Sequence, residues 1–128
     1  MAKIERFEDI EAWKAARELA NFVYDLTGRP RFARDFGLRD QIQRAAVSVM
    51  SNIAEGFESQ SNRSFISYLY RAKGSAGEVR SQLYIAFDRG YVTNEELGAG
   101  IGLAEKTSRL IAGFIAYLES GEGLKVAG

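Results

Sequence analysis

This sequence of 128 residues contains neither cysteine nor histidine. Without cysteine there can be no disulfide framework, no thiolate nucleophile and no sulfur-ligated metal. Without histidine, a helical bundle cannot build the Glu-x-x-His motifs of a di-iron centre. Acid–base chemistry would be left to carboxylates, and Glu55 and Glu78 are better explained as members of a polar seam described below. The sequence therefore predicts no catalytic, cofactor-binding or metal-binding residues, and a protein that is not an enzyme.

Long apolar runs and an excess of one charge are also missing. No window approaches the run of about 18 apolar residues that a membrane span needs, and the first seven residues do not resemble a signal peptide. We therefore expect no membrane partner, and the lack of cysteine favours the reducing cytoplasm. Seventeen basic and seventeen acidic residues cancel, which excludes the overall positive field of a dedicated nucleic-acid-binding protein. Charge is uneven along the chain, since residues 29–44 contain five arginines against two aspartates.

Proline occurs once, at Pro30, and glycines cluster where breaks are expected, so long uninterrupted helices are predicted. The first helix is expected to run from about Asp9, as its N-cap, to about Thr27. The second is expected from about Leu38 to Phe57.

The third predicted helix follows a cap at Ser61 or Asn62 and shows the most regular apolar repeat in the chain. The fourth begins at Thr93, which has capping-box spacing to Glu96, and ends near Ser120. These segments predict one domain over residues 1–120 and a flexible C-terminal tail over residues 121–128.

Helices of about 18 to 28 residues joined by short links predict an all-α fold, an antiparallel up-down-up-down four-helix bundle. No alternating strand pattern competes. A globin-like array of helices is the alternative, but near-heptad apolar spacing favours the shallow crossing angles of a bundle.

Three of the predicted helices carry a second apolar stripe beside the first. A lone bundle covers one face of each helix, so we expect part of this surface to meet another copy of the chain. The alternative is the wide apolar arc that core helices normally have. Trp13 is predicted to lie in the core or in a subunit contact.

Glycines inside the predicted helices point the same way. Each costs about 1 kcal/mol relative to alanine, a cost that close backbone approach could offset. Gly74 and Gly77 are examples in the third helix. For Gly98 to Gly102, a loose first turn of the fourth helix is an equal alternative.

Polar residues form a seam along one edge of the second helix and another along the third. We expect the two seams to face and satisfy each other, fixing helix register, since a buried unpaired polar group costs about 1 to 3 kcal/mol. Because the turn is centred near residue 60, partners should have numbers that sum to about 120 to 122, which pairs Arg44 with Glu78 and places Ser48 near Ser75. The seam residues are Gln41, Arg44, Ser48, Asn52 and Glu55 on the second helix, and Arg71, Ser75, Glu78 and Gln82 on the third.

The same region resembles the family of four-helix bundle proteins called 23S rRNA-intervening sequence proteins. The resemblance covers roughly residues 7–119, and its most specific motif is Ser-x3-Asn-Ile-Ala-Glu-Gly, from Ser48 to Gly56. Further matches are Gln41, Arg44, Ala45, Ala46, Gly74-Ser75, Glu78 and Leu83, with Phe7, Asp9, Trp13, Ala16, Val23-Tyr24 and Leu26-Thr27 in the first helix and Gly90-Tyr91 before the last.

The resemblance implies an up-down bundle that assembles as a homopentamer. The chain is also similar to the accessory variability proteins of diversity-generating retroelements, which work with a reverse transcriptase and bind nucleic acid. Those proteins are strongly basic, whereas this chain has a net charge of zero.

Two functions follow as hypotheses. The first is a non-catalytic oligomeric scaffold or adaptor whose main partner is itself. The second is an RNA- or DNA-binding accessory protein, in which a ring of copies repeats a modest basic patch. The contacts would come from Lys14, Arg17, Arg29, Arg31, Arg34 and Arg39, for which the alternative is an ordinary solvated surface.

Overall fold

The computed structural model describes residues 4–121, and within them the chain is all-helical, with no strand. Residues 1–3 and most of the predicted tail, residues 122–128, lie outside the described residues. The helices are α1 (Glu11–Thr27), α2 (Pro30–Ala33), α3 (Phe36–Phe57), α4 (Asn62–Asp88) and α5 (Asn94–Glu119), and a 3-10 turn (Phe7–Asp9) precedes α1.

The ends of the last two helices agree with the capping residues in the sequence. Ser61 caps α4 by accepting a hydrogen bond from the Ser64 amide at 3.2 Å. At the start of α5, Thr93 accepts from the Glu96 amide at 3.1 Å while the Glu96 carboxylate accepts from the Thr93 amide at 2.8 Å. The predicted capping box is therefore confirmed.

The first half of the chain departs from the prediction in three places. Asp9 is not an N-cap, because it ends the 3-10 turn and α1 begins after Ile10, which makes no side-chain cap. Residues Pro30–Ala33 form a short extra helix, with the proline in its first turn, where a missing amide hydrogen costs nothing. The next helix starts at Phe36 and not at Leu38, because the Asp35 carboxylate accepts from the Leu38 amide at 3.2 Å.

The four long helices contact each other in a ring: α1 with α3, α3 with α4, α4 with α5, and α5 with α1. Their inner faces form two apolar clusters, one containing Phe32 and Leu83 and the other containing Phe65 and Ile111. Met50 packs against both clusters. Burial of these side chains, at about 25 cal/mol per Å² of apolar surface, is the main force that holds the helices together.

One close approach sets the distance between α3 and α4. A Cβ atom added at Gly56 would lie 2.7 Å from Cδ1 of Phe65 and 2.9 Å from Cβ of Tyr68. Neither gap can accommodate a larger residue without movement, and the Tyr68 Cβ is attached directly to the backbone. The glycine is therefore required by packing, which offsets its low helix propensity.

Trp13 is only partly buried and packs against the edge of the second cluster. Its ring centroid lies 5.3 Å from that of Phe7, and the Arg17 guanidinium lies 5.8 Å from it. Trp13 thus lies at the edge of the core and not within it. Truncation should cost less than the roughly 3 to 5 kcal/mol of a fully buried ring.

An ion pair joins the start of α2 to the start of α5. The Arg29 guanidinium donates to both carboxylate oxygens of Glu96, one of them at 2.8 Å. Hydrogen bonding from Arg29 is the main reason that the pKa of Glu96 is lowered to about 2, and the hydrogen bond from the Thr93 backbone is the next largest cause.

The first prediction concerns stability in acid. Because the pKa of Glu96 is lower in the folded chain than its unfolded value of about 4.3, the ionised carboxylate stabilises the fold above that pH. This contribution is lost as the pH falls from about 4.3 through about 2. Unfolding midpoints measured in urea between pH 7 and pH 2 should therefore fall less steeply below pH 4.3 for Glu96→Gln than for the unaltered chain. Equal slopes for the two proteins would contradict the prediction.

Candidate functional site

The two polar seams meet at the middle of α3 and α4. Ser75 donates a hydrogen bond to Ser48 Oγ at 3.0 Å, which confirms the predicted proximity of these two residues. The Asn52 amide donates to the same oxygen and to the Ser48 carbonyl, both at 2.9 Å. Ser75 is buried, so this three-residue network satisfies polar groups that would otherwise weaken the core.

Arg44 and Glu78 do not form the predicted ion pair. Both side chains are exposed, and none of the ion pairs among residues 4–121 joins them. Exposed pairs contribute only about 0 to 1 kcal/mol, too little to hold two long side chains together in water. The predicted pairing of Arg44 with Glu78 was wrong.

The seam instead opens into a hollow between α3 and α4 with a volume of about 340 Å³. Arg44 and Glu78 lie on its two sides, with Gln41 and Gln82 further along. Within the described chain, the carbonyl oxygen of the Gln82 side chain is buried and lacks a hydrogen-bond partner.

A second and larger hollow, of about 550 Å³, lies on the other side of α3. Arg44 and Ser48 line both hollows, so the exposed side of α3 and its two flanks form one surface, which we call the α3 groove. Tyr24 of α1 and Val47 add apolar area, with 49% and 38% of their surfaces exposed. The remaining residues of the larger hollow are Asp40, Gln43, Ser51, Asn52 and Glu55.

One seam residue stands apart from the groove. Arg71 is exposed on α4, and its guanidinium lies 4.9 Å from the ring centroid of Tyr68.

The six basic residues proposed for nucleic-acid contact divide into two groups. Lys14 and Arg17 lie on the first half of α1, where Lys14 pairs with Glu11 at 3.0 Å. The other four follow the end of α1 at Thr27, so about 15 Å of helix separates them from Arg17, at 1.5 Å per residue. The six therefore do not form a single stripe.

Three of the four arginines beyond α1 already make contacts within the protein. Arg29 binds Glu96, as described above. Arg31 donates to the carbonyls of Arg89 and Gly90 at 3.2 and 3.3 Å. Arg39 donates to the Ala33 carbonyl at 3.0 Å and pairs with Asp40. Arg34 is exposed, and its side chain makes no hydrogen bond or ion pair with any residue between 4 and 121.

Metal binding and membrane insertion each require a recognisable structural feature: a cluster of ligating side chains or a long apolar helix. Between residues 4 and 121, no group of three or more acidic side chains is placed to hold a metal ion, and histidine and cysteine are missing from the sequence. No helix in that range is both long enough and apolar enough to cross a bilayer.

These features define an all-helical protein with an open, mixed polar and apolar groove centred on one helix. Residues 8–113 match the family described as 23S rRNA-intervening sequence protein, and the chain belongs to this family. The specific motif noted above, from Ser48 to Gly56, contributes two residues of the hydrogen-bonded network and the close-packed glycine.

A solved structure shares the fold. It is the 1.70 Å crystal structure of a protein with unknown function from the S23 ribosomal protein family of Bacteroides thetaiotaomicron VPI-5482. The TM-score is 0.74 with 23% sequence identity, covering 81% of this chain and 97% of that one. No curated protein matches the chain.

Proposed function

We propose that this protein is a non-catalytic oligomeric scaffold or adaptor, and that copies contact one another through the α3 groove. Its non-catalytic character is supported by residue types, since the chain lacks histidine and cysteine and the carboxylates of Glu55 and Glu78 are exposed. The cytoplasm, a reducing compartment, is the location that suits a cysteine-free chain.

The proposed subunit is an antiparallel up-down-up-down four-helix bundle with α2 as an addition in the first link. Contacts between neighbouring helices support this order. Ser48 meets Ser75, whereas Gly56, further along α3, meets Phe65, earlier on α4. Between α4 and α5, a Cβ atom added at Gly100 would lie 2.7 Å from Cδ1 of Leu83, and Glu105 pairs with Arg80. Residue numbers therefore rise along one helix as they fall along the other, so these two helices are also antiparallel.

The observation that carries the scaffold proposal is the composition of the α3 groove. Tyrosine and arginine are among the residues most enriched where protein interfaces gain their binding energy, and Tyr24 and Arg44 both line this groove. Val47 is an exposed aliphatic side chain between them. A contact between this groove and a different surface of the next copy would generate a closed ring, and we propose the homopentamer that the family resemblance implies.

The second prediction tests this surface. Val47→Glu places a charge in the groove, where desolvating it on assembly is unfavourable, so the oligomer should dissociate at least tenfold more readily. Sedimentation equilibrium at 1 to 100 µM measures the change. The unaltered chain is expected to assemble to at least five times its 14.2 kDa monomer mass.

Ala112→Glu is the matched control, because it adds the same charge at an exposed helical position far from the groove. That variant should assemble as the unaltered chain does. A mass of 14.2 kDa for the unaltered chain over the whole range would refute the scaffold proposal.

Nucleic-acid binding is the second candidate, favoured by one observation. The guanidinium of Arg34 is free and exposed three residues after Arg31, and such a pair repeated around a ring would contact several phosphates. The similarity to the accessory variability proteins of retroelements belongs to this candidate. A salt-dependent shift of labelled structured RNA, abolished by charge reversal at Arg31 and Arg34, would favour it over a scaffold that binds only itself.

A further inference from the structure

The outward face of α4 carries a regular seam that no other part of the described chain covers. α4 packs on α3 and α5 through its opposite face. On the outward face, exposed residues recur at alternating steps of four and three, the heptad spacing of a helix that pairs with another helix. This outward seam consists of Arg63, Ser67, Tyr70, Gly74, Gly77, Ser81, Tyr84 and Asp88, all exposed.

The outward seam is uncharged over its middle, which consists of glycines, serines and two tyrosines, and it is charged only at its ends. Tyr70 and Tyr84 have 55% and 51% of their surfaces exposed, and Ile85 beside them has 51%. Arg63 and Asp88, at opposite ends, carry opposite charges. Neither joins any ion pair with residues 4–121.

The outward seam of one copy is complementary to the same seam of a second copy when the two α4 helices run antiparallel. If two copies of α4 lie antiparallel, with position 75 of one level with position 76 of the other, facing residues have numbers that sum to 151. Arg63 then faces Asp88, Ser67 faces Tyr84, and Tyr70 faces Ser81. Each tyrosine therefore faces a serine, and each charged residue faces one of opposite charge. Because the arrangement is two-fold symmetric, every pair occurs twice.

At the centre of that arrangement, Gly74 faces Gly77. A Cβ atom at either position would meet nothing within 4 Å, so packing inside the chain gives no reason for a glycine at these two sites. Each destabilises the helix relative to alanine. Close approach of a second helix backbone would account for both.

Charges on the edges of the seam are mixed. On one edge Arg71 comes beside Glu78 of the second copy, which is favourable. On the other, Lys73 comes beside Arg80, but Arg80 is already paired with Glu105 at 3.3 Å.

We propose that the outward seam of α4 binds the same seam of a second copy of this chain, antiparallel, about a two-fold axis at the middle of the helix. This rests on the self-association proposed above but uses a different face of the molecule, which shares only Glu78, at its edge, with the α3 groove. The helix is about 40 Å long and about 10 Å wide, so such a contact buries roughly 800 Å² over both copies, within the range of weak, reversible associations.

The test uses the full chain carrying Val47→Glu, which separates this contact from the α3 groove. Sedimentation equilibrium should show a monomer and a species of twice 14.2 kDa. Adding Arg63→Asp, or Asp88→Arg in a second protein, puts two like-charged pairs in each dimer and should raise the dissociation constant about tenfold. An equimolar mixture of these two proteins should recover the original affinity, because every charge then faces its opposite.

A steric variant supplies a second readout. Gly77→Leu removes a helix-weakening glycine from open space, so the melting temperature should rise while the dimer is lost. Failure of the charge-reversed mixture to associate, with both proteins folded by circular dichroism, would overturn the α4 pairing. If the chain without Val47→Glu still forms oligomers that no α4 change affects, the pairing fails and the scaffold stands. If that chain is monomeric throughout, both fail.

Discussion

Phe65→Ala is expected to lower the free energy of unfolding by about 3 to 5 kcal/mol, the range for a fully buried phenylalanine. The side chain has no exposed surface. Its ring centroid lies 5.4 Å from that of Phe114 and 6.2 Å from that of Phe57, and its edge fills the space left by Gly56. Removal opens a cavity where α3, α4 and α5 meet. Because small domains are stable by only about 5 to 15 kcal/mol, such a change removes much of the margin.

Urea denaturation monitored by circular dichroism measures this effect. Phe36→Ala is the matched control, since the same atoms are removed from a ring that is 63% exposed. That ring interacts chiefly with the Arg39 guanidinium, 4.9 Å from its centroid, so the control should cost no more than about 1 kcal/mol. Similar destabilisation by the two variants would show that the second cluster is not packed around Phe65.

Phe32→Ala should have a comparable effect, about 3 to 5 kcal/mol, at the other end of the molecule. Phe32 belongs to the four-residue helix α2, yet its side chain has no exposed surface. It stacks on Tyr91 with ring centroids 5.0 Å apart, and the Tyr91 hydroxyl donates to Asp35 at 2.9 Å. Phe32 thus ties the link after α1 to the link before α5.

Tyr91→Phe separates the two parts of this interaction. It keeps the stacked ring and removes only the hydroxyl, so we expect destabilisation by about 1 kcal/mol. A cost under about 1 kcal/mol for Phe32→Ala would mean that α2 is a surface segment and not an anchor.

Periodicity and capping residues predicted the later helices well, because both signals are local. The apolar repeat from Phe65 to Ala86 needs only one helix, and the capping box of Thr93 and Glu96 needs only one turn. The helix α2 was not predicted, since four residues are too few for a helical repeat. What reveals it in the structure is the burial of Phe32, a tertiary property.

Only part of the candidate site was predicted, because helical spacing is a local signal and the shape of the groove is not. Helical spacing shows which residues share an edge and at what height, so the contact of Ser48 with Ser75 followed from the register. Spacing does not show how far the two helices diverge at their outer edges. Arg44 and Glu78 share a height but are solvated on the two sides of a hollow. The arginines after α1 are close in sequence, yet Arg29 and Arg31 are occupied by α5 and the link before it, and Arg39 by Ala33 and Asp40.

The ring of helix contacts also bears on the order in which the chain can fold. Ser48 and Ser75 close a loop of 27 residues when α3 meets α4, whereas Arg29 and Glu96 close one of 67 when α5 returns to the first link. Loop-closure entropy grows only with the logarithm of length, so the longer closure costs only about 0.8 kcal/mol more. The α3–α4 pair, with its local contacts and close-packed Gly56, is the natural nucleus. α1 can then join late, at little entropic disadvantage, to complete both apolar clusters at once.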